Sequence, residues 1–199
     1  FCLVLDSVLA LKPEKVYVVV GSQKEEVMKE ASSKKVHFIF QRKLLGTGHA
    51  VLMARNFLKK EKEKDVLIVN ADLPLLTPLT LKRLLSFHES KGNSLTFVSA
   101  EKENPAGYGR VIRSADKGLK VIEEKDTTRA ERRVKEVNAG IYVFKIKDLL
   151  HALPKVSCLN KKGEYYLTSV VEILSNKKKK IDVWKTSSTS EILGINTRL

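Results

Sequence analysis

Apolar residues recur along this chain with two periods, and the periods take turns. Leu3, Val4, Val8 and Leu11 are spaced as one helical stripe, so the chain opens inside a helix. Lys15–Gly21, KVYVVVG, is a near-continuous apolar run, the pattern of a strand covered on both faces of a sheet. A short helix is predicted over 23–31 and a second strand over Val36–Phe40. From His49 onward, Ala50, Val51, Ala54, Phe57 and Leu58 fall on one helical face. DVLIVNADLPLL, Asp65–Leu76, predicts a third buried strand that runs into a loop. Thr77-Pro78 then opens a helix, because proline is favoured in a first turn. That helix carries Leu81, Leu84 and Leu85 and stops near Gly92.

In the second half the strand signal dominates at first. Ser94–Ala100 reads as a strand, and shorter strands follow at GRVIRS (109–114) and LKVIEEKD (119–126), joined by the turn ADKG (115–118). Glu136–Lys145 is a further strand, IKDLLHAL and YLTSVVEIL are helical by spacing, and KIDVWKT is a late strand. Strands and helices alternate at βαβ spacing early on, with a hairpin-rich insert near 105–135. Repeats, low-complexity tracts and linkers are absent from the pattern, so one α/β domain is expected over 1–199. In a βαβ reading the opening helix needs a strand before it, so the chain is expected to be a fragment of a longer product.

Composition narrows the class. The 43% apolar share and five prolines exclude a disordered chain. No run approaches 18 apolar residues, so no membrane span is expected. FCLVLDSVLALK does not read as a signal peptide: it lacks a basic start and an A-x-A site, and Asp6 interrupts it. Cys2 and Cys158 have neither metal-site nor redox-motif spacing, which points to a reducing, cytoplasmic setting. The net charge of +14 invites a nucleic-acid reading. Its lysines, however, are interleaved with glutamates, as in KKEKEKD (Lys59–Asp65), and Lys177–Lys180 reads as a solvated loop. Neither specific nucleic acid nor a membrane is therefore expected as a partner. A positive field still favours phosphorylated small substrates.

Ligands of open α/β sheets bind beyond the carboxyl ends of strands. Gln41 and Gly46-Thr47-Gly48 follow one predicted strand, Asn70-Ala71-Asp72 another, and Asn104 to Gly109 a third. Singly, each has a plain explanation: a turn, or a helix cap. Their joint placement at strand ends points to a ligand. Gln41 offers a donor and an acceptor from one amide, which suits a nucleobase edge. Glycines at 46 and 48 would let backbone approach a flat ring. Asp72 is a hard oxygen ligand of the kind that holds Mg²⁺ against phosphates.

The order of the motifs QRKLLGTGHAV, NADLPLL, NPAGYGRVIR, IEEKD, EVNAGIYVF, KKGEYYLTSVVEIL and GINTR closely resembles one family. It is the uridyltransferase (pyrophosphorylase) domain of bacterial bifunctional N-acetylglucosamine-1-phosphate uridyltransferase / glucosamine-1-phosphate acetyltransferase. The likeness runs from about Asp6 to Leu199. It implies a Rossmann-like mixed sheet of the nucleotide-diphospho-sugar transferase type, with the first strand and glycine-rich loop missing. It also implies a reaction: the phosphate of N-acetylglucosamine 1-phosphate attacks the α-phosphorus of UTP, pyrophosphate leaves, and UDP-N-acetylglucosamine, a cell-wall precursor, forms. Carried over, Gln41, Gly46 and Thr47 would read the uracil, with Asn70 and Asp72 also at the nucleotide. Asp72 and Asn196 would hold Mg²⁺. Gly109, Glu123, Asn138, Glu164, Tyr166 and Thr168 would line the sugar pocket. No residue is expected as catalytic nucleophile, because the substrate phosphate serves as one. The family's trimer interface and acetyltransferase lie in a left-handed β-helix absent from this chain.

Taken without the resemblance, several of these positions have plainer readings. Asn138 reads as a polar group within a strand, Glu123 as a surface residue, Asn196 as part of a turn, and Tyr165 and Tyr166 as core aromatics. His49, in the first turn of a helix, reads as structural or as the support of a neighbour. Ala71, Ala139 and Ser169 stand where the family usually has glycine, Thr or Ser, and aspartate; Ser169 bears on sugar choice. Without the glycine-rich phosphate cradle the chain is expected to be inactive or severely impaired on its own. The alternatives are a related pyrophosphorylase using another sugar or nucleotide, a non-catalytic UDP-sugar-binding module, and a basic nucleic-acid binder.

Overall fold

The computed structural model describes residues 1–21, 24–114 and 118–195. Helix α1 (Cys2–Leu9) leads to strand β1 (Tyr17–Val20), helix α2 (Lys24–Glu30) and strand β2 (His37–Phe40). Helices α3 (Thr47–Met53) and α4 (Arg55–Leu58) precede strand β3 (Asp65–Val69), and helix α5 (Pro78–Lys91) precedes strand β4 (Leu95–Glu101). The hairpin of β5 (Arg110–Ser114) and β6 (Gly118–Ile122) follows, then the long β7 (Glu136–Lys145). Helices α6 (Ile146–Ala152) and α7 (Ser169–Asn176) and strand β8 (Ile181–Lys185) complete the elements. Residues 115–117 of the turn expected at 115–118, and Asn196, lie outside the described residues.

Helix α5 forms where the sequence places it and for the stated reasons. Thr77 caps it, its hydroxyl accepting from the Thr80 N–H at 3.3 Å, Pro78 opens it, and Gly92 ends it in the left-handed conformation. The first helix differs in detail. Val4 and Leu5 are its buried residues, whereas Leu3 is 61% exposed, so the inward stripe is shifted from the expected one. The helix expected from His49 starts two residues earlier and breaks at Ala54; its Val51, Ala54 and Leu58 are buried as expected. The YLT of YLTSVVEIL stays outside α7, which starts at Ser169.

The strands form a mixed arrangement. Strands β1 and β2 pair in parallel as a two-stranded sheet, and the other six run in the order β6-β5-β7-β4-β8, with β3 also on β7. Strands β4 and β8 are parallel; β3, β4 and β5 are antiparallel to β7. The apolar run of β1 predicts cover on both faces. Only Val20 of it is buried, because among the described residues it has β2 on one edge and no strand on the other.

Helices cover the six-stranded sheet on both faces. One apolar layer joins Phe97, Tyr142 and Phe144 of the sheet to Val51, Leu58, Leu149, Val170 and Leu174. The other joins Val98, Ile141 and Val143 to Val4, Leu81, Leu84 and Ile192. At the entry to β4, the buried His88 meets the Thr96 hydroxyl at 2.8 Å. Asn93 Nδ2 donates to Thr96 and to Asp182, each at 2.9 Å. Burial holds His88 below the ordinary histidine range.

The long strand β7 is the organiser. Strand β3 pairs with its Ile141–Lys145 stretch, whereas β5 pairs at Val137. Between these two pairings the Asn138 N–H donates to the Gly109 carbonyl at 2.8 Å, and the Gly140 carbonyl accepts from the Asn70 N–H at 3.1 Å. The β7 stretch between Asn138 and Tyr142 is also bulged against β4, where Phe97 and Ser99 are their partners. The chain thus forks at 138–140, and the polar residues at the strand ends gather there.

Candidate functional site

The predicted residues fall into three groups: Thr47 of the first shares a cavity with Asn70 and Asp72 of the second, whereas Gln41 lines a separate one. The first lies where β2 gives way to α3. Gly46 has φ +97° and precedes the helix. The segment 46–48 is stitched to 164–167, far away in sequence: Gly48 N–H donates to the Tyr165 carbonyl at 2.7 Å, Tyr165 N–H to the Leu45 carbonyl at 2.7 Å, and Leu167 N–H to Thr47 Oγ1 at 3.0 Å. A Cβ on Gly46 would stand 2.7 Å from the Tyr165 carbonyl oxygen, and one on Gly48 2.9 Å from it. Those glycines therefore make room for the protein's own backbone. Glu164 packs at the same place, its Cβ 2.9 Å from where a Gly46 side chain would begin. Gln41 Nε2 lies 3.1 Å from the Gly46 carbonyl oxygen and 2.9 Å from His49 Nδ1.

The second group follows β3. Thr47, Asn70, Ala71, Asp72 and Pro74 line a cavity of about 560 Å³ together with Phe1 and Ile195. Asp72 Oδ1 is buried there and has no hydrogen-bond partner. A buried carboxylate oxygen without a donor is costly unless something fills its lone pairs, and a hard cation does so. Asp72 thus fits a divalent ion bound by oxygens. Among the described residues no cluster of three His, Cys, Asp or Glu forms an all-protein metal cage. That is normal for Mg²⁺, which is held mostly by water and phosphate. The Ile195 N–H donates to the Asp72 carbonyl at 2.9 Å, so the described backbone reaches Asp72 one residue before Asn196.

The third group lines the β5–β7 side. Glu123 Oε1 accepts from the buried Thr168 hydroxyl at 2.8 Å, and burial raises the Glu123 carboxyl above the ordinary range. Gly109 faces this carboxylate: a Cβ there would be 3.6 Å from Glu123 Oε2. Asn138 Nδ2 donates to the Tyr142 phenol at 2.6 Å. Burial first, and the nearby Glu123 charge second, drive the Tyr142 phenol upward. Tyr166 is buried with its hydroxyl unpartnered, and burial pushes it up to about 12. Glu123, expected at the surface without the resemblance, is half-buried.

Three contributors escaped the reading of the residues. Tyr142 completes the Asn138 pair. The same-face spacing of Asn138 and Tyr142 along one strand is a signal that could have found it. Gly140, at φ +74°, lies between them, and a Cβ there would collide with the Asn70 side-chain amide. Arg110 is fully enclosed under the site, where it pairs with Glu124 at 2.6 Å and donates to the Tyr108 carbonyl. It thereby fixes the turn that carries Glu123. Only a long-range view reveals that role.

Comparisons with known proteins place this geometry in a family. Residues 3–188 match the model of the nucleotidyl transferase family. The chain is 46% identical over 187 residues to the bifunctional protein GlmU of Acetivibrio thermocellus, covering 94% of this chain and 40% of that protein. It is 43% identical over 197 residues to the bifunctional protein GlmU of Clostridium tetani, covering 98% and 43%. The chain thus spans about two-fifths of the length of these relatives. Among solved structures, a UDP-glucose pyrophosphorylase complexed with UDP-glucose superposes with a TM-score of 0.66 at 14% identity, over 90% of this chain and 76% of that one. A putative glucose-1-phosphate thymidylyltransferase from Bacillus anthracis gives 0.66 at 12% identity, over 91% and 71%. These two share the fold. With a family match that runs nearly end to end and polar strand tips gathered at one fork, this chain belongs to the nucleotidyl transferase family.

Proposed function

We propose that this chain carries the uridylyl-transfer site that joins UTP to N-acetylglucosamine 1-phosphate, giving UDP-N-acetylglucosamine and pyrophosphate in the cytoplasm. The observation that supports the reading is the buried, unpartnered Asp72 Oδ1 in the cavity that it shares with Thr47 and Asn70 beside the β7 fork. The GlmU relatives, at 40–46% identity, support the aminosugar and uridine choice.

In this reading Gln41 addresses the base, Asn70 and Asp72 the phosphate region, and Glu123, Asn138, Tyr166 and Thr168 the sugar. Mg²⁺, when bound, neutralises phosphate charge at Asp72, with Asn196 as its second protein ligand. The incoming sugar phosphate is itself the nucleophile, so the residues position, orient and exclude water rather than attack. The raised Glu123 carboxylate is short of donors; a sugar hydroxyl would supply one.

The test is ligand binding with a metal readout. Mn²⁺, as a paramagnetic stand-in for Mg²⁺, is titrated with UDP-N-acetylglucosamine while water relaxation is followed. The expected result is a ternary complex whose Mn²⁺ affinity falls roughly tenfold or more in Asp72→Asn, a loss of about 1.4 kcal/mol or more. Unchanged Mn²⁺ affinity in Asp72→Asn would overturn the metal assignment. Equal binding of UDP-N-acetylglucosamine and UDP-glucose would overturn the aminosugar choice.

A further inference from the structure

Resting on the nucleotide reading above, we propose that His49 is the positioning residue that takes up the second N–H of the Gln41 amide, the first being held by the Gly46 carbonyl, and so leaves a ligand only the amide's acceptor, which selects a uracil edge over a cytosine edge. The observation is a pair of distances. Gln41 Nε2 stands 3.1 Å from the Gly46 carbonyl oxygen and 2.9 Å from His49 Nδ1. A carbonyl oxygen can only accept, so the amide atom facing Gly46 must be the nitrogen. That nitrogen has two hydrogens and no lone pair to offer. Its second hydrogen therefore goes to His49 Nδ1, which must be an acceptor. The His49 ring proton then sits on Nε2.

Both donors of the Gln41 amide are thus spent inside the protein. What remains for a ligand is the oxygen, with acceptor capacity alone. Gln41 also lines a cavity of about 750 Å³ with Val20, Gly21, Arg42 and Leu44, next to but separate from the one lined by Asp72, so the residue borders space of ligand size. Uracil presents N3–H, a donor, between two carbonyl acceptors, and meets an acceptor-only amide. Cytosine presents a lone pair at N3 and is repelled in the same pose. Without an acceptor at His49 the amide would keep a spare N–H beside its oxygen, offer cytosine N3 a donor and lose that distinction. The expectation from sequence was a donor and acceptor presented together; the structure leaves only one of the two to the ligand.

His49 is held for this task. It enters from the first turn of α3, next to Gly48, whose N–H is anchored on the Tyr165 carbonyl at 2.7 Å. The Tyr165 ring lies 6.2 Å from the imidazole, centroid to centroid. Together they set the ring's depth and leave Nδ1 aimed at Gln41.

The experiment compares UMP and CMP binding to this chain by NMR titration in three proteins. The wild type is expected to favour UMP. His49→Phe keeps a ring and removes the acceptor, so the UMP/CMP affinity ratio should fall roughly five- to tenfold, the effect of one hydrogen bond. His49→Asn should restore the ratio, because its Oδ1 is as far from Cβ as the imidazole Nδ1 is. A ratio unchanged in His49→Phe overturns the proposal. A wild type that does not distinguish UMP from CMP overturns the nucleotide reading instead. Imidazole ¹⁵N shifts of the wild type supply a measurement that needs no variant to fold: the Nε2–H tautomer supports the proposal, and the Nδ1–H tautomer overturns it.

Discussion

Glu123 keeps its carboxyl above the ordinary range through its own burial, opposed by the Thr168 hydroxyl at 2.8 Å. The consequence for stability follows from proton counting. Between the unfolded value near 4.5 and the raised folded one, the folded chain holds more protons than the unfolded chain. Stability therefore falls as pH rises through that window, and above it the full cost of the buried charge remains. Glu123→Gln keeps an acceptor for Thr168 and removes the charge. At pH 7 it should stabilise the chain by on the order of 1 kcal/mol in urea unfolding. The gain should shrink as pH falls through the window and vanish below about 4.5, where Glu123 is protonated in both the folded and the unfolded chain. The same variant should bind the sugar phosphate more weakly. Equal stability of the two proteins at both pH values would show that the carboxylate is not held under this strain. A residue whose replacement stabilises the chain while weakening ligand binding would be what a binding site looks like in energetic terms.

At the scale of elements, the fork of β7 depends on Gly140. Its φ of +74° is open to glycine at no cost, and a side chain there would strike the Asn70 amide. Gly140→Ala should cost about 1–3 kcal/mol from the backbone alone and also displace Asn70. Gly92→Ala at the end of α5 is the matched control, since Gly92 has φ +63° and nothing within 4 Å of an added Cβ. Both variants should lose stability in thermal melts, but only Gly140→Ala should lose UDP-sugar affinity. Comparable affinity losses in the two would remove Gly140 from the site. The elements themselves were legible: strands from period two, α5 from its cap, proline and glycine. Gln41, Asp72 and the 46–48 segment were legible from their place after strands. The stitching of 46–48 to 164–167 was not, because it pairs segments more than a hundred residues apart with no local pattern to announce it. Glu123 was hidden for another reason. Its neighbours Glu124 and Lys125 make IEEKD look solvated, and only the buried Arg110 behind Glu124 shows that this turn faces inward.

At the scale of the molecule, no strand pairing joins β1–β2 to the six-stranded sheet among the described residues. The two-stranded pair is tied in by side chains instead: Ile39 enters the apolar layer, with Tyr17 and Val19 packed against it and Phe57 on the Tyr17 ring at 5.2 Å. Backbone hydrogen bonds in β4 and β7 lie under two helical layers, whereas β1–β2 has little cover. Native-state hydrogen exchange should therefore be faster at Val18–Val20 and Phe38–Phe40 than at Phe97–Ala100 and Ile141–Phe144, by roughly tenfold or more. Equal protection would mean that the pair opens only with the whole. Gln41 follows directly on this lightly tethered pair, its N–H bonded to the Val20 carbonyl at 2.9 Å. A nucleotide gripped by Gln41 on one side and Asp72 on the other would act as a clasp between the loose ribbon and the firm sheet. Occupancy should then be felt most in the ribbon, so that the arrival of such a ligand would tighten the very edge that carries Gln41.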